Sequence, residues 1–203
     1  MKEQRIKAII QHYRKNYQIN VKRERLRFRK YSLDEAISKA ALAEDASGKR
    51  LSHQRRIPRK VLRNSKCVLR RRKGKIRMCK TFAELHEYLK ESIGEIKGIG
   101  PLAVYDTAWR IGANRGLEPG VIYLHAGTKQ GAKAIGLNIR RKFIRIDELS
   151  REFTTLRKVK PMQLEDIFCI YKKCFECEKK SCPLPKQRCN ERNRGCTNSI
   201  GGC

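Results

Sequence analysis

The stretch that decides the reading runs from Ser92 to Ala113, SIGEIKGIGPLAVYDTAWRIGA. Gly94, Gly98 and Gly100 fall within seven residues, and an apolar run with few cations follows. Ile93, Ile96 and Ile99 bracket the glycines. Pro101 stands where a helix can start at no cost, because first-turn N–H groups have no partner inside the helix. The pattern predicts two helices joined by a tight turn. Gly98 and Gly100 permit backbone angles and a close approach that a Cβ would block, while Ile99 plugs into the core between them. The N–H groups of the turn and of the next helix's first turn then point outward, an arrangement that binds phosphate oxygens. Such contacts hold a nucleic-acid backbone without reading its bases. The spacing is that of a helix–hairpin–helix, and Lys97, Gly98, Ile99, Gly100 and Leu102 are its candidate contact residues.

The rest of the chain supplies a reason for a phosphate partner. Its 203 residues hold 49 Lys and Arg against 20 Asp and Glu, a formal net charge of +29. Residues 1–80 carry 27 of those cations and 6 of the acids. A charge this far from neutral predicts a polyanionic partner, nucleic acid first and an anionic membrane second; with the hairpin beside it, duplex DNA is the expected partner. No apolar run approaches the roughly 20 residues of a membrane span. The opening MKEQRIKAIIQHYRKNY lacks the apolar core of a secretory signal. The expectation is a cytoplasmic protein with no membrane partner. In a reducing compartment its 9 Cys are expected to be metal ligands or buried thiols rather than a disulfide framework.

Along the chain, residues 1–30 read as a basic arm: a helix carrying Ile6, Ile9 and Ile10, then an extended run, VKRERLRFRK. Ser32 and Glu35 form a capping box for LDEAISKAALAE, and Thr81 and Glu84 another for FAELHEYLKES. LSHQRRIP, residues 51–58, precedes a helix with Val61, Leu62, Cys67, Val68 and Leu69 as its apolar stripe. Gln54, Arg55, Arg56, Arg59 and Lys60 are candidate nucleic-acid contacts there. Gly112 is expected to end the helix that Pro101 begins. LHAGTKQGAKAIGL reads as a Gly/Ala-rich helix able to pack closely, with Lys129 a further candidate contact. IDELSREFTTL and MQLEDIFCIYKK read as two more helices. The predicted fold is all-α: a basic arm (1–30), a helix–hairpin–helix domain (31–173) and a Cys-rich tail (174–203).

The segments IGEIKGIGPLAVYDTAWRIG and VIYLHAGTKQGAKAIGL resemble the core of the helix–hairpin–helix DNA glycosylase superfamily. The resemblance covers about residues 50–175, of which about 45 match strongly. It implies the fold and backbone binding. In that superfamily a segment written V-D-T-H-V-x-R follows the hairpin; His125 lies over its His and Tyr123 over its catalytic Asp. The family's lyase members place a Lys where this chain has Leu102. Both catalytic groups are therefore absent from the matched positions. LSHQRRIP is similar to the LSQQ helix start whose Gln enters the duplex, which would be Gln54 here. A closer likeness, over about 30–172, is to a bacterial family sharing HQRRIP, GIGxLxVYDTAxRIG, YLHAGT and CIYK signatures; it implies the fold and no reaction.

Other candidate chemistry is thinner. A neutral His125 is a candidate general base, with Tyr123 as acid and Asp106 nearby; the plainer role for such a His is a hydrogen-bonded structural one. Cys169, Cys174, Cys177 and Cys182 give C-x4-C-x2-C-x4-C, four thiolates able to hold Zn²⁺ or a four-iron cluster. Several of the similar glycosylases carry an iron–sulfur loop at this point, C-x6-C-x2-C-x5-C, with longer outer gaps. A rival quartet replaces Cys169 by Cys189. The leading expectation is a DNA-binding protein without glycosylase activity. Two alternatives stand beside it: a divergent DNA-repair glycosylase or lyase, and a basic RNA or ribonucleoprotein-binding protein.

Overall fold

A computed structural model describes residues 3–45, 47–176 and 184–185. It is mostly helical. In chain order the elements are α1 (Glu3–Tyr13), a π-helical turn (Arg14–Gln18), α2 (Ile19–Lys30), α3 (Leu33–Ala41), a 3-10 turn (Ser52–Gln54), α4 (Arg59–Arg71), α5 (Lys73–Met78), α6 (Phe82–Ile93), α7 (Pro101–Arg115), β1 (Ile122–Tyr123), α8 (Ala126–Ala134), β2 (Phe143–Ile144), a 3-10 turn (Ile146–Glu148), α9 (Thr154–Arg157), α10 (Pro161–Ile170) and α11 (Lys172–Glu176). β1 and β2 pair antiparallel, with Ile122 opposite Ile144 and Tyr123 opposite Phe143. The chain divides into two units, one of residues 21–119 and one of residues 1–20 with 120–203. The boundary thus falls inside the first helical run, not after residue 30.

In the 21–119 unit, α7 packs against α3 and α6. Ala103, Val104, Tyr105, Ala108, Ile111 and Ala113 of α7 are buried, as are Ala36, Ile37, Ala40 and Ala41 of α3. Small side chains on both helices let their backbones approach. Gly112 lies inside α7 rather than at its end: a Cβ there would stand 3.1 Å from the Leu117 carbonyl oxygen and 3.2 Å from the Phe82 ring. The helix continues to Arg115, and Gly116 ends it at φ +74°, the left-handed conformation that glycine adopts without penalty. Ser32 and Glu35 form the expected capping box. Thr81 caps α6 by accepting from Glu84 N–H, but the Glu84 carboxylate reaches one residue further back, to Lys80 N–H at 2.8 Å.

VKRERLRFRK is helical, not extended. Its Arg, Lys, Glu and Leu are good helix formers. Phe28 is fully buried, and the Asn114 amide donates to the carbonyls of Phe28 and Tyr31 at 2.9 and 2.8 Å, closing the helix end. The stripe of α4 is also narrower than expected: Leu62, Ser65 and Leu69 are buried, whereas Cys67 is exposed.

In the unit of residues 1–20 and 120–203, α1 is a core element. Ile6, Ile9, Ile10 and Tyr13 pack with Ile122, Ala132, Leu156, Leu164, Ile167 and Phe168. The close helix pair is α8 with α10. Gly131 makes it so: a Cβ there would sit 2.2 Å from the Phe168 carbonyl oxygen. IDELSREFTTL forms only a 3-10 turn and the single turn α9, since Phe153 turns inward between them. The short β1–β2 pair is an addition to the all-helical expectation.

Candidate nucleic-acid interface

α6 and α7 are joined by residues 94–100. Ile96 N–H bonds to the Ile93 carbonyl at 3.1 Å and Ile99 N–H to the Ile96 carbonyl at 2.8 Å, so the turn folds on itself twice. Ile93 and Ile99 are buried, as the spacing implies. Lys97, Gly98 and Gly100 are exposed and Leu102 half-buried.

The two glycines have different reasons. Gly98 sits at φ +99°, where a Cβ is strained, and the methyls of Val61 lie beneath it at 3.5 and 3.6 Å. Gly100 has φ −94° and ψ 171°, extended backbone open to any residue, and nothing lies within 4 Å of where its Cβ would be. The fold therefore needs glycine at 98 and not at 100. At 100 the missing side chain leaves backbone bare at the start of a 15-residue helix whose first turn has no side-chain cap. That end carries the positive pole of the helix.

Val61 belongs to α4, whose exposed residues include Arg59, Lys60, Arg63, Arg70 and Arg71. α4 contains no acidic residue. The turn and this basic helix are thus neighbours within one unit.

Residues 51–58 lead into α4. Arg55 and Arg56 are exposed. Gln54 is 4% exposed, and its amide donates to Asp106. It faces inward, not toward a ligand, which corrects the expectation drawn from the LSQQ likeness. His53 Nε2 stands 2.6 Å from the same Asp106 carboxylate. Burial pushes the Asp106 carboxyl up, but His53, Arg110 and Gln54 together outweigh it and hold the pKa below the usual carboxylate value. Arg50 bonds to the carbonyls of Gln54 and Ile57. The loop is therefore fixed from inside while Arg55 and Arg56 face solvent.

One turn along α7, Arg110 donates to the Asp106 carbonyl at 3.1 Å and lies 3.6 Å from Glu24. Arg25 pairs with Glu118 at 2.9 Å. Both guanidinium groups stand 5.7 Å from the Trp109 ring centre, so Trp109 is half-buried beside two cations rather than in an apolar core. Tyr105 is core, against Phe82 and His86. Thr107 bonds back to the Ala103 carbonyl at 2.7 Å, the ordinary fate of a mid-helix threonine.

His125 and Tyr123 belong to the other unit. Tyr123 is buried in β1. His125 Nε2 lies 3.0 Å from Glu165 Oε1, with both side chains under 10% exposed. Lys129 is half-buried on α8. Within their own units, His53 and Gln54 are the partners of Asp106, and Glu165 that of His125. Sequence reasoning missed His53 and Glu165, which are far in sequence from what they bind; only Arg110, four residues after Asp106, carried a local signal.

Cys169 is half-buried near the end of α10. Cys174 is buried on α11. Cys177, Cys182 and Cys189 lie outside the described residues. Among the described residues no three His, Cys, Asp or Glu side chains are grouped to hold a metal ion, and no helix is long and apolar enough to cross a membrane. Comparison of the chain with protein-family models, with curated proteins and with solved structures finds no match.

Proposed function

We propose that the protein binds duplex DNA through its phosphate backbone, with residues 94–102 acting as a helix–hairpin–helix. The observation that carries this reading is Gly100. It is a glycine the fold does not require, exposed at the uncapped start of α7 and two residues from an exposed Lys97–Gly98 turn. A phosphate oxygen approaching there meets backbone N–H groups and no Cβ. α4, with six Arg and Lys and no acid, adds attraction that ignores base sequence. Lys97, Arg55, Arg56, Arg59 and Lys60 are the side chains that join it. Gln54, buried and donating to Asp106, belongs to the support beneath them.

Binding without catalysis is the favoured form of this reading. The glycosylase likeness gives a catalytic Asp and a Lys to positions that hold Tyr123 and Leu102 here.

Gly100→Asp tests the proposal cleanly. Its backbone angles suit an N-cap, where Asp is favoured over Gly by a few tenths of a kcal/mol (about 0.3). The variant should melt at or slightly above the wild-type temperature. A carboxylate would then occupy the phosphate position, and duplex affinity should fall at least about tenfold, the loss of one charge-assisted contact plus new repulsion. Titration calorimetry and a thermal melt on the same preparation decide it. Unchanged affinity in a folded variant would reduce the turn to a structural device.

A further inference from the structure

A group of cations without ion pairs lies across α4 from the turn. α3 and α4 enclose an open groove of about 650 Å³ lined by Asp34, Arg63, Lys66, Cys67, Arg70 and Arg71. Its one carboxylate, Asp34, is bound by Lys73. Among the described residues Arg63, Lys66, Arg70 and Arg71 form no ion pair. Four cations gathered on one concave surface repel each other, and an anion in the groove would relieve that cost.

The position of the groove indicates which anion. At about 100° per residue, Arg63, Lys66 and Arg70 share one flank of α4 while Val61, beneath Gly98, lies on the other. Turn and groove are thus separated by one helix diameter, about 10–12 Å. The two strands of B-DNA face each other across a major groove about 12 Å wide. We infer that the α3–α4 groove holds phosphates of the second strand of a duplex whose first strand rests on the 94–102 turn. This rests on the reading above and extends it: α4 lies along the duplex as a ridge with one strand on either flank, and Arg63, Lys66, Arg70 and Arg71 are second-strand contacts.

Cys67 lies in the groove and is exposed, whereas Cys79 of the same unit is buried. The experiment is an alkylation footprint on the full-length protein. Iodoacetamide is added to the protein alone, with a 20-base-pair duplex, and with one strand of that duplex; modification at Cys67 is followed by peptide mass spectrometry, with Cys79 as the buried reference. Salt titrations of duplex binding are run alongside for wild type, Gly100→Asp and the exposed-site double variant Arg63→Gln/Arg70→Gln. The duplex should slow Cys67 alkylation several-fold and the single strand should not. The double variant should lower the slope of log K against log salt by about two, one for each phosphate contact removed. Alkylation of Cys67 at the unliganded rate while duplex is bound overturns the inference and leaves the turn reading intact. Equal protection by the single strand also overturns it, because one chain then suffices. If wild type binds no duplex at all, both readings fall; if Gly100→Asp alone loses binding, the turn reading stands by itself.

Discussion

Asp106 shows what one residue can organise. It gathers His53, Gln54 and the charge of Arg110 around a largely buried carboxylate, and so ties the loop before α4 to α7. Asp106→Ala would leave buried donors without an acceptor, and should cost about 2–3 kcal/mol at neutral pH. Because the folded pKa is depressed, the carboxylate's contribution is complete above its unfolded value, about 3.9. It is lost as pH falls through the folded value. Urea melts at pH 7 and pH 3 should therefore show a gap between wild type and variant that narrows in acid. Ser65 is the opposite case: 1% exposed in the buried stripe of α4, its hydroxyl finds no partner among the described residues. Ser65→Ala should raise stability by about 0.5–1.5 kcal/mol, removing an unsatisfied hydroxyl and improving helix propensity; a lower melting temperature would show that the hydroxyl is satisfied. Neither role is legible in sequence. A helical period marks Leu62 and Leu69 as inward-facing, but a polar residue between them reads as surface, and nothing local links His53 to a helix 53 residues away.

At the scale of elements, the order of helices was legible where caps and glycines spoke. Ser32 with Glu35, Pro101 and the glycines of the 94–100 turn mark boundaries that the backbone keeps. The 21–30 run reads as extended because its dense charge looks unpartnered, and only the distant Asn114 and the burial of Phe28 explain why it is helical. Gly112 was misread for a different reason. A glycine near a helix end can be a terminator or a point of contact, and the choice depends on Phe82 and Leu117, outside its own turn. The Gly/Ala content of LHAGTKQGAKAIGL marks a helix able to pack closely, and Gly131 is the position where it does. Gly131→Ala should separate α8 from α10 and destabilise the protein by at least about 2 kcal/mol, the upper range of overpacking costs. A denaturant midpoint equal to wild type would mean that the Phe168 backbone yields instead. The cysteine spacing is less informative, since most of the candidate ligands fall beyond Glu176.

For the whole molecule, net charge dominates. At +29 the folded chain repels itself, and screening shortens that repulsion to about 10 Å at 0.1 M salt. Raising sodium chloride from low to physiological strength should raise the melting temperature while weakening duplex binding, opposite responses from one cause; a melting temperature indifferent to salt would show that local pairing already neutralises the charge. The chain also contains one tryptophan, Trp109, in the 21–119 unit beside Arg25 and Arg110. Its fluorescence is therefore a private signal of that unit, whereas circular dichroism sums the helices of both. Superimposable unfolding curves from the two optical probes would mean that the units melt as one cooperative body, and an offset between them would give each unit its own stability.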